Sequence, residues 1–406
     1  MSQRYLGGVI SKTPVVPSGP YENSTASGVW TLAQQADYAA QGLWPTAGNT
    51  EPYYLYSWGT GANGALGLNN TTNYSSPKQV GSLTTWLVLT AGTYYSVAIK
   101  TDGTLWSWGN SAYGNLGLNN TTNYSSPKQV GALTNWAKVS SKGTFCLAIK
   151  TDGTLWGWGQ NDSGQLGLNN LTYAISSPTQ VGALTTWSSV DVGFLHTVAV
   201  KTDGTLWSWG SNAQGQLGLG NTTQYSSPKQ IGSLTTWLRV ACGRYFSLAY
   251  KTDGTLWSWG SNSNGQLGTG NLTNYSSPKQ IGALTNWNLF KAGLLFSVST
   301  KTDGTLWSWG ANSEGQLGLG NQTEYSSPKQ VGSLTNWDIV AAGHSNCLAI
   351  KTDGTLWSWG RNQSGQLGLG TSGLAAYRSS PNQVGTLTTW SAIAGGRAFT
   401  LAIGSD

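Results

Sequence analysis

The residues able to do chemistry are few in this chain, and their spacing keeps them apart. The two histidines, His196 and His344, stand at different phases of the sequence and have no cluster of Asp, Glu or Cys around them, so neither reads as part of a metal site. Cys146, Cys242 and Cys347 form no CxxC pair. They read as small buried strand residues, with Cys146 and Cys347 too far apart in the array to bond. Six of the 15 acidic residues (Asp102, Asp152, Asp203, Asp253, Asp303 and Asp353) lie in Thr-Asp-Gly-Thr turns. Turn chemistry explains them without an acid–base role. The GQLGLG stretches open no helix and cannot act as phosphate loops. This inventory predicts no enzyme, no cofactor and no metal.

What positions these residues is a repeat. Trp-Gly closes a short strand at Trp58, Trp108, Trp158, Trp209, Trp259, Trp309 and Trp359, at spacings of 50, 50, 51, 50, 50 and 50 residues. Each copy alternates strand and turn signals, as in residues 251–260 (KTDGTLWSWG), and carries no helical periodicity. In Thr255-Leu256-Trp257-Ser258-Trp259 the two indoles must share one face and Leu256 the other. A small sheet apolar on both faces has to stack on copies of itself. The chain is therefore predicted to be all-β, a seven-bladed β-propeller over residues 53–406 preceded by an N-terminal arm over 1–52. Seven TLWSWG-type strands and seven LAI-type strands are joined by six KTDGT hairpins. The C-terminal strand is thus expected to pair with the N-terminal one and close the ring, leaving no open edge.

Charged residues are 9% of the chain and the net charge is +6. Eleven of the lysines recur at two repeat positions, one set beside the hairpin aspartates, which argues against a dense basic stripe for a nucleic-acid backbone. No apolar run is long enough to span a membrane, and residues 1–10 lack the form of a secretory signal. Asn-x-Thr triplets at Asn70, Asn120, Asn170, Asn221, Asn271 and Asn321 share one phase and read as loop residues.

A Gly six residues after a TxW, the LAI-TDG-xLWxWG hairpin and the NxxGQLG that follows it resemble the repeats of the regulator of chromosome condensation family. The resemblance covers residues 53–406 and implies the propeller. It leaves function open, because such propellers serve in guanine-nucleotide exchange, in β-lactamase inhibition and on bacterial and viral surfaces. The chain departs from the family pattern in three places. The histidine that commonly precedes the Ser-Leu-Ala strand survives as His196, the other copies holding Tyr95, Phe145, Phe246, Phe296, Asn346 and Phe399. Lys142 replaces the recurrent glycine of its copy, which predicts an altered turn there. No repeat carries the inserted wedge of the exchange factors, the largest excess being about three residues near 371–378.

The arm contains Pro14, Pro17 and Pro20 and then a capping-box pattern at Thr31–Gln34, read as a short helix ending near Gly42. Residues 27–45 (SGVWTLAQQADYAAQGLWP) are similar to leaders of tailed-bacteriophage structural proteins.

Two sets of residues are candidates for binding. The turn after the recurrent glycine varies from copy to copy and offers Tyr94, Phe194, Arg244, Tyr245, Leu294, His344 and Arg397 to a partner that reads one orientation of the ring. The repeated loop offers Tyr74, Tyr124, Tyr225, Tyr275 and Tyr325, whose rings could hold glycans weakly but several at a time, or could simply pack on the following proline. The expected function is a virion structural or adhesin protein, a tail fibre or capsid decoration, made in the host cytoplasm. Residues 1–52 would contact other virion proteins, the propeller would contact a host-surface glycan or protein, and a homo-oligomer in the particle is compatible with this. The alternative is a protein-binding regulator or inhibitor that uses one propeller face.

Overall fold

A computed structural model describes residues 53–405, and the arm, with its expected helix, lies outside them. The described residues form seven antiparallel four-stranded sheets. The sheet around residue 250 shows the plan. Its strands Trp237–Cys242, Phe246–Lys251, Leu256–Gly260 and Tyr275–Gln280 pair in chain order from the channel outward. The innermost strands of all seven sheets line a narrow central channel of about 220 Å³.

Alternation within each strand produces the stacking. Leu256 joins one buried cluster with Trp287 and Trp309 of the following blade. Trp259 and Trp237 join another with Val198, Val200 and Leu206 of the preceding blade. Trp237 packs edge-on against both Trp257 and Trp259, which places the two indoles of the strand on one face as expected. Full burial of an indole contributes on the order of 4–6 kcal/mol before entropy is counted. With such an indole in every blade, a single sheet is not a stable unit.

Each KTDGT hairpin is tied internally. In the fourth copy Asp253 Oδ1 accepts from the Thr255 N–H at 3.0 Å and from Thr255 Oγ1 at 2.6 Å, and Thr255 Oγ1 accepts from Trp257 Nε1 at 2.8 Å. Lys251 lies between two indoles, its Nζ 3.9 Å from the centre of the Trp257 ring and 4.7 Å from that of Trp237. Those contacts take up the recurrent lysine in a cation–π sandwich. Burial lowers its pKa although Asp253 pulls it the other way. The three cysteines are buried and unbonded, as expected.

Closure takes the form the strand count predicts. Tyr54–Gly59 pairs with Phe399–Gly404 through six residue pairs, from Tyr54 with Gly404 to Gly59 with Phe399, so the first and last repeats share one sheet. Ala392–Gly395 forms the inner edge of that sheet and Tyr74–Gln79 the outer edge. Removing Phe399–Asp406 should therefore expose a sheet edge and empty the space beside Leu55 and Trp58. The expected outcome is loss of cooperative thermal unfolding with aggregation on size exclusion. An unchanged melting temperature would contradict closure as the source of stability.

Candidate functional site at the channel mouth

The turn that ends the innermost strand is shaped by an aromatic ring in five blades and by Asn346 in a sixth. In six blades the residue before the variable pair is glycine and its N–H donates across the turn, as from Gly243 to the Phe246 carbonyl at 2.8 Å. A Cβ on Gly243 would lie 1.8 Å from the Phe246 ring, so the ring occupies the space a side chain would need. The remaining turn carries Lys142 and does not repeat that hydrogen bond, which is the local alteration expected from the sequence. Neighbouring turns are linked by backbone bonds: Arg244 N–H to the Leu294 carbonyl, Leu294 N–H to that of His344, both at 3.0 Å, and His344 N–H to that of Gly396 at 3.3 Å. These bonds hold the four successive turns together through the backbone and leave the Arg244, Leu294 and His344 side chains available.

Those side chains converge. Tyr94, Phe194, Arg244, Leu294, His344 and Arg397, each predicted from a separate copy, line one basin of about 500 Å³ together with Ser345, Arg361, Gln363, Ser364 and Ala398. Tyr245 does not line it but stacks behind Arg244, 4.9 Å from guanidinium carbon to ring centre. Phe194 takes the same guanidinium at 5.4 Å and approaches the His344 ring at 5.9 Å. Arg397 lies over Tyr94 at 5.2 Å. Beneath them the Lys142 side chain crosses the channel, its ammonium donating to the carbonyl of Cys242 and, at 2.5 Å, to that of Ala292, from blades two and three further on.

Electrostatics in the basin follows from this crowding of cations. Burial pushes the His344 pKa down to about 3, and Lys142, Arg397, Arg244 and Arg361 act in the same direction. His196 is fully buried, with Nε2 3.0 Å from Ser247 Oγ, and burial followed by the charge of Lys142 also takes it to about 3. It lies in the wall between blades and outside the basin lining, which agrees with its reading as a packing residue. Asp191, on the channel wall, has its oxygens occupied by Ser140 Oγ and the Cys242 N–H at 2.6 and 2.7 Å.

The loop tyrosines are not brought together. Each is half-buried on its own outermost strand with the lysine four residues on above its ring, from Lys279 at 5.3 Å over Tyr275 to Lys78 at 5.8 Å over Tyr74. For Tyr74, Tyr124, Tyr275 and Tyr325 the hydroxyl also accepts from the loop asparagine, at 2.9 Å from Asn271 to Tyr275. Sequence reasoning missed Arg361 and the position of Lys142 under the basin. Both were marked by a signal: Arg361 is the one cation after a Trp-Gly, where the other copies have Thr60, Asn110, Gln160, Ser211, Ser261 and Ala311. Among the described residues no group of three or more His, Cys, Asp or Glu is placed to hold a metal.

The two histidines predict an acid limb. An unfolded histidine titrates near 6.5. Between that pH and about 3 the unfolded chain binds protons that the folded chain refuses, so stability present above pH 6.5 is lost as pH falls. The loss is on the order of 3 kcal/mol per histidine at pH 4. His196→Phe, which installs the residue found at this position in four other blades, should remove about half of that slope in melting temperature against pH. A slope unchanged by the substitution would place the acid sensitivity elsewhere.

Comparison with known proteins agrees with the architecture. A family model described as RCC1-like domain matches residues 55–402. Prp20p from Saccharomyces cerevisiae, in a study of its binding to Gsp1p and histones, is similar in fold with a TM-score of 0.80 at 21% identity, over 92% of this chain and 94% of that one. Human WBSCR16 aligns with a TM-score of 0.77 at 20% identity, over 87% and 99%. Yeast RCC1 (Prp20) bound to Kap60 aligns with a TM-score of 0.79 at 20% identity, over 95% and 96%. None of the curated proteins compared matches the sequence significantly.

Proposed function

The chain belongs to the RCC1-like domain family, and from that premise we propose that it is a non-enzymatic propeller which binds a partner protein through the basin face. One observation carries this reading. Side chains from the variable turns of six repeats meet at a single cavity, while the opposite face presents the same hairpin and the same exposed leucine (Leu83, Leu133, Leu184, Leu234, Leu284 and Leu334) in six blades. A partner reading a unique orientation needs unequal groups, and the basin face supplies them. One propeller of this shape at about 20% identity, yeast Prp20, is described in terms of protein partners, Gsp1p and histones in one structure and Kap60 in another. That favours a protein-binding regulator over an adhesin, with nucleotide exchange and enzyme inhibition as its two finer forms.

The leader-like stretch at residues 27–45 favours a second reading, in which the arm anchors the propeller on a virus particle. Under it, purified particles should contain the chain, and deletion of residues 1–52 should leave the propeller folded but absent from them.

A photo-crosslinking amino acid placed at Tyr94 separates the two faces of the ring. In cells that make the protein, it should form adducts with one protein species, whereas the same group at Leu234 on the opposite face should not. Adducts from Leu234 alone, or equal adducts from both positions, would overturn the assignment of the basin as the binding face.

A further inference from the structure

Four cations converge at the channel mouth and one of them has an acidic partner. Arg361 pairs with Glu314 at 3.1 Å. Arg244 and Arg397 instead lie against aromatic rings, and no ion pair joins either to a carboxylate among the described residues. Lys142 gives its ammonium to two backbone carbonyls, which solvate the charge without neutralising it. Asp191 offsets part of the Lys142 charge, which leaves Arg244 and Arg397 as the cations of the basin without an acid. Two buried polar atoms facing this cluster, Arg244 Nε and His344 Nε2, have no hydrogen-bond partner. Arg244 Nε carries an N–H, and an unmatched donor on a residue that lines an open basin invites an acceptor there. A common acceptor for Arg244 and Arg397 would be an anion in the basin.

We propose that the basin is a carboxylate seat, which takes an acidic side chain of a partner protein together with an adjacent apolar one. The geometry favours a carboxylate. Arg244 and Arg397 are held against Phe194, Tyr245 and Tyr94 by ring contacts, and a guanidinium fork presents the donors that bind planar, two-oxygen groups bidentately. The apolar wall of Phe194 and Leu294 beside the forks has nothing to offer a bare inorganic anion, but it suits the side chain next to a Glu or Asp. A volume of about 500 Å³ admits one or two side chains and no folded element. This inference rests on the reading of the basin as the partner-binding face.

Calorimetry on the full chain tests it with three probes: a capped hexapeptide with two central Glu flanked by Phe, the same peptide with Gln for Glu, and inorganic phosphate. The Glu peptide should bind and its Gln counterpart should bind at least roughly tenfold more weakly, as loss of a charge-assisted hydrogen bond implies. Arg244→Ala with Arg397→Ala should cost a similar factor or more. Arg244→Lys should also weaken binding, because it keeps the charge and loses the fork. Leu294→Ala should weaken the peptide and leave phosphate unchanged. Melting temperatures check that the variants fold, and the single lysine variant serves if the double alanine variant does not. Equal binding of the Glu and Gln peptides would overturn the seat, as would phosphate competing fully with a peptide that is indifferent to Leu294→Ala. Crosslinks from Tyr94 without a preference for Glu would sink the carboxylate seat and leave the partner face standing. Crosslinks from Leu234 alone would remove the partner face itself.

Discussion

The fold depends on one hydrogen bond made seven times. The indole N–H of each Trp-Gly tryptophan donates to a backbone carbonyl in the loop of the preceding blade: Trp108 to Ala65, Trp158 to Asn115, Trp209 to Gln165, Trp259 to Gln216, Trp309 to Gln266 and Trp359 to Gln316, at 2.9 to 3.1 Å. Trp58 donates to Gln366 at 3.0 Å and completes the circle across the chain ends. The acceptor loop must come close to the ring. A Cβ on Gly268, the second glycine of its GQLG, would lie 2.7 Å from Trp309 Nε1, and the equivalent glycines are equally confined. Because every indole is fully buried, its N–H has no water to fall back on. The loop, the glycine and the indole are therefore fixed together in each copy.

That constraint determines where the repeats are free to differ. Loop and hairpin residues are held by bonds involving their side chains, such as the Asp253–Thr255–Trp257 relay or Asn262, whose Oδ1 accepts from the Leu267 N–H at 3.0 Å and so shapes the loop. The turns bearing Arg244, Leu294 and His344 are linked by backbone bonds, Arg244 to Leu294 to His344 to Gly396, which any residue can make. Variation accumulates there at little structural cost, and the ring geometry carries all of it to one place. The function argued for the basin follows from this division between bonded and unbonded side chains.

Charge is distributed along the same lines. The hairpin lysines are taken up by paired indoles and the lysines of the outermost strands by tyrosine rings, so most of the positive charge is dispersed around the rim. Arg244, Arg361 and Arg397 are gathered instead around one basin with Lys142 close by, and neither Arg244 nor Arg397 has an ion pair to an acid among the described residues. An excess of +6 spread over a ring has little local effect, whereas three cations within one small basin create a strong local field.

Periodicity alone determined much of this protein. The 50-residue spacing of Trp-Gly, the alternation in Thr255–Trp259 and the unequal count of strands and hairpins led to seven stacked sheets and a shared first and last blade, because a two-faced apolar sheet has few other ways to be buried. The departures from the repeat, at Arg244, His344 and Arg397, also marked the candidate site before any geometry was known. What the tertiary structure decided was how those departures meet. Sequence does not show that Lys142 reaches the carbonyls of Cys242 and Ala292, 100 and 150 residues away, or that Arg361 joins from a different loop. Nor does it show that the loop tyrosines are engaged by their own lysines. The meeting of Lys142 and Arg361 at the basin depends on distances across the ring, which are set by blade stacking and closure, whereas the tyrosine–lysine contacts depend on how side chains turn on a single strand.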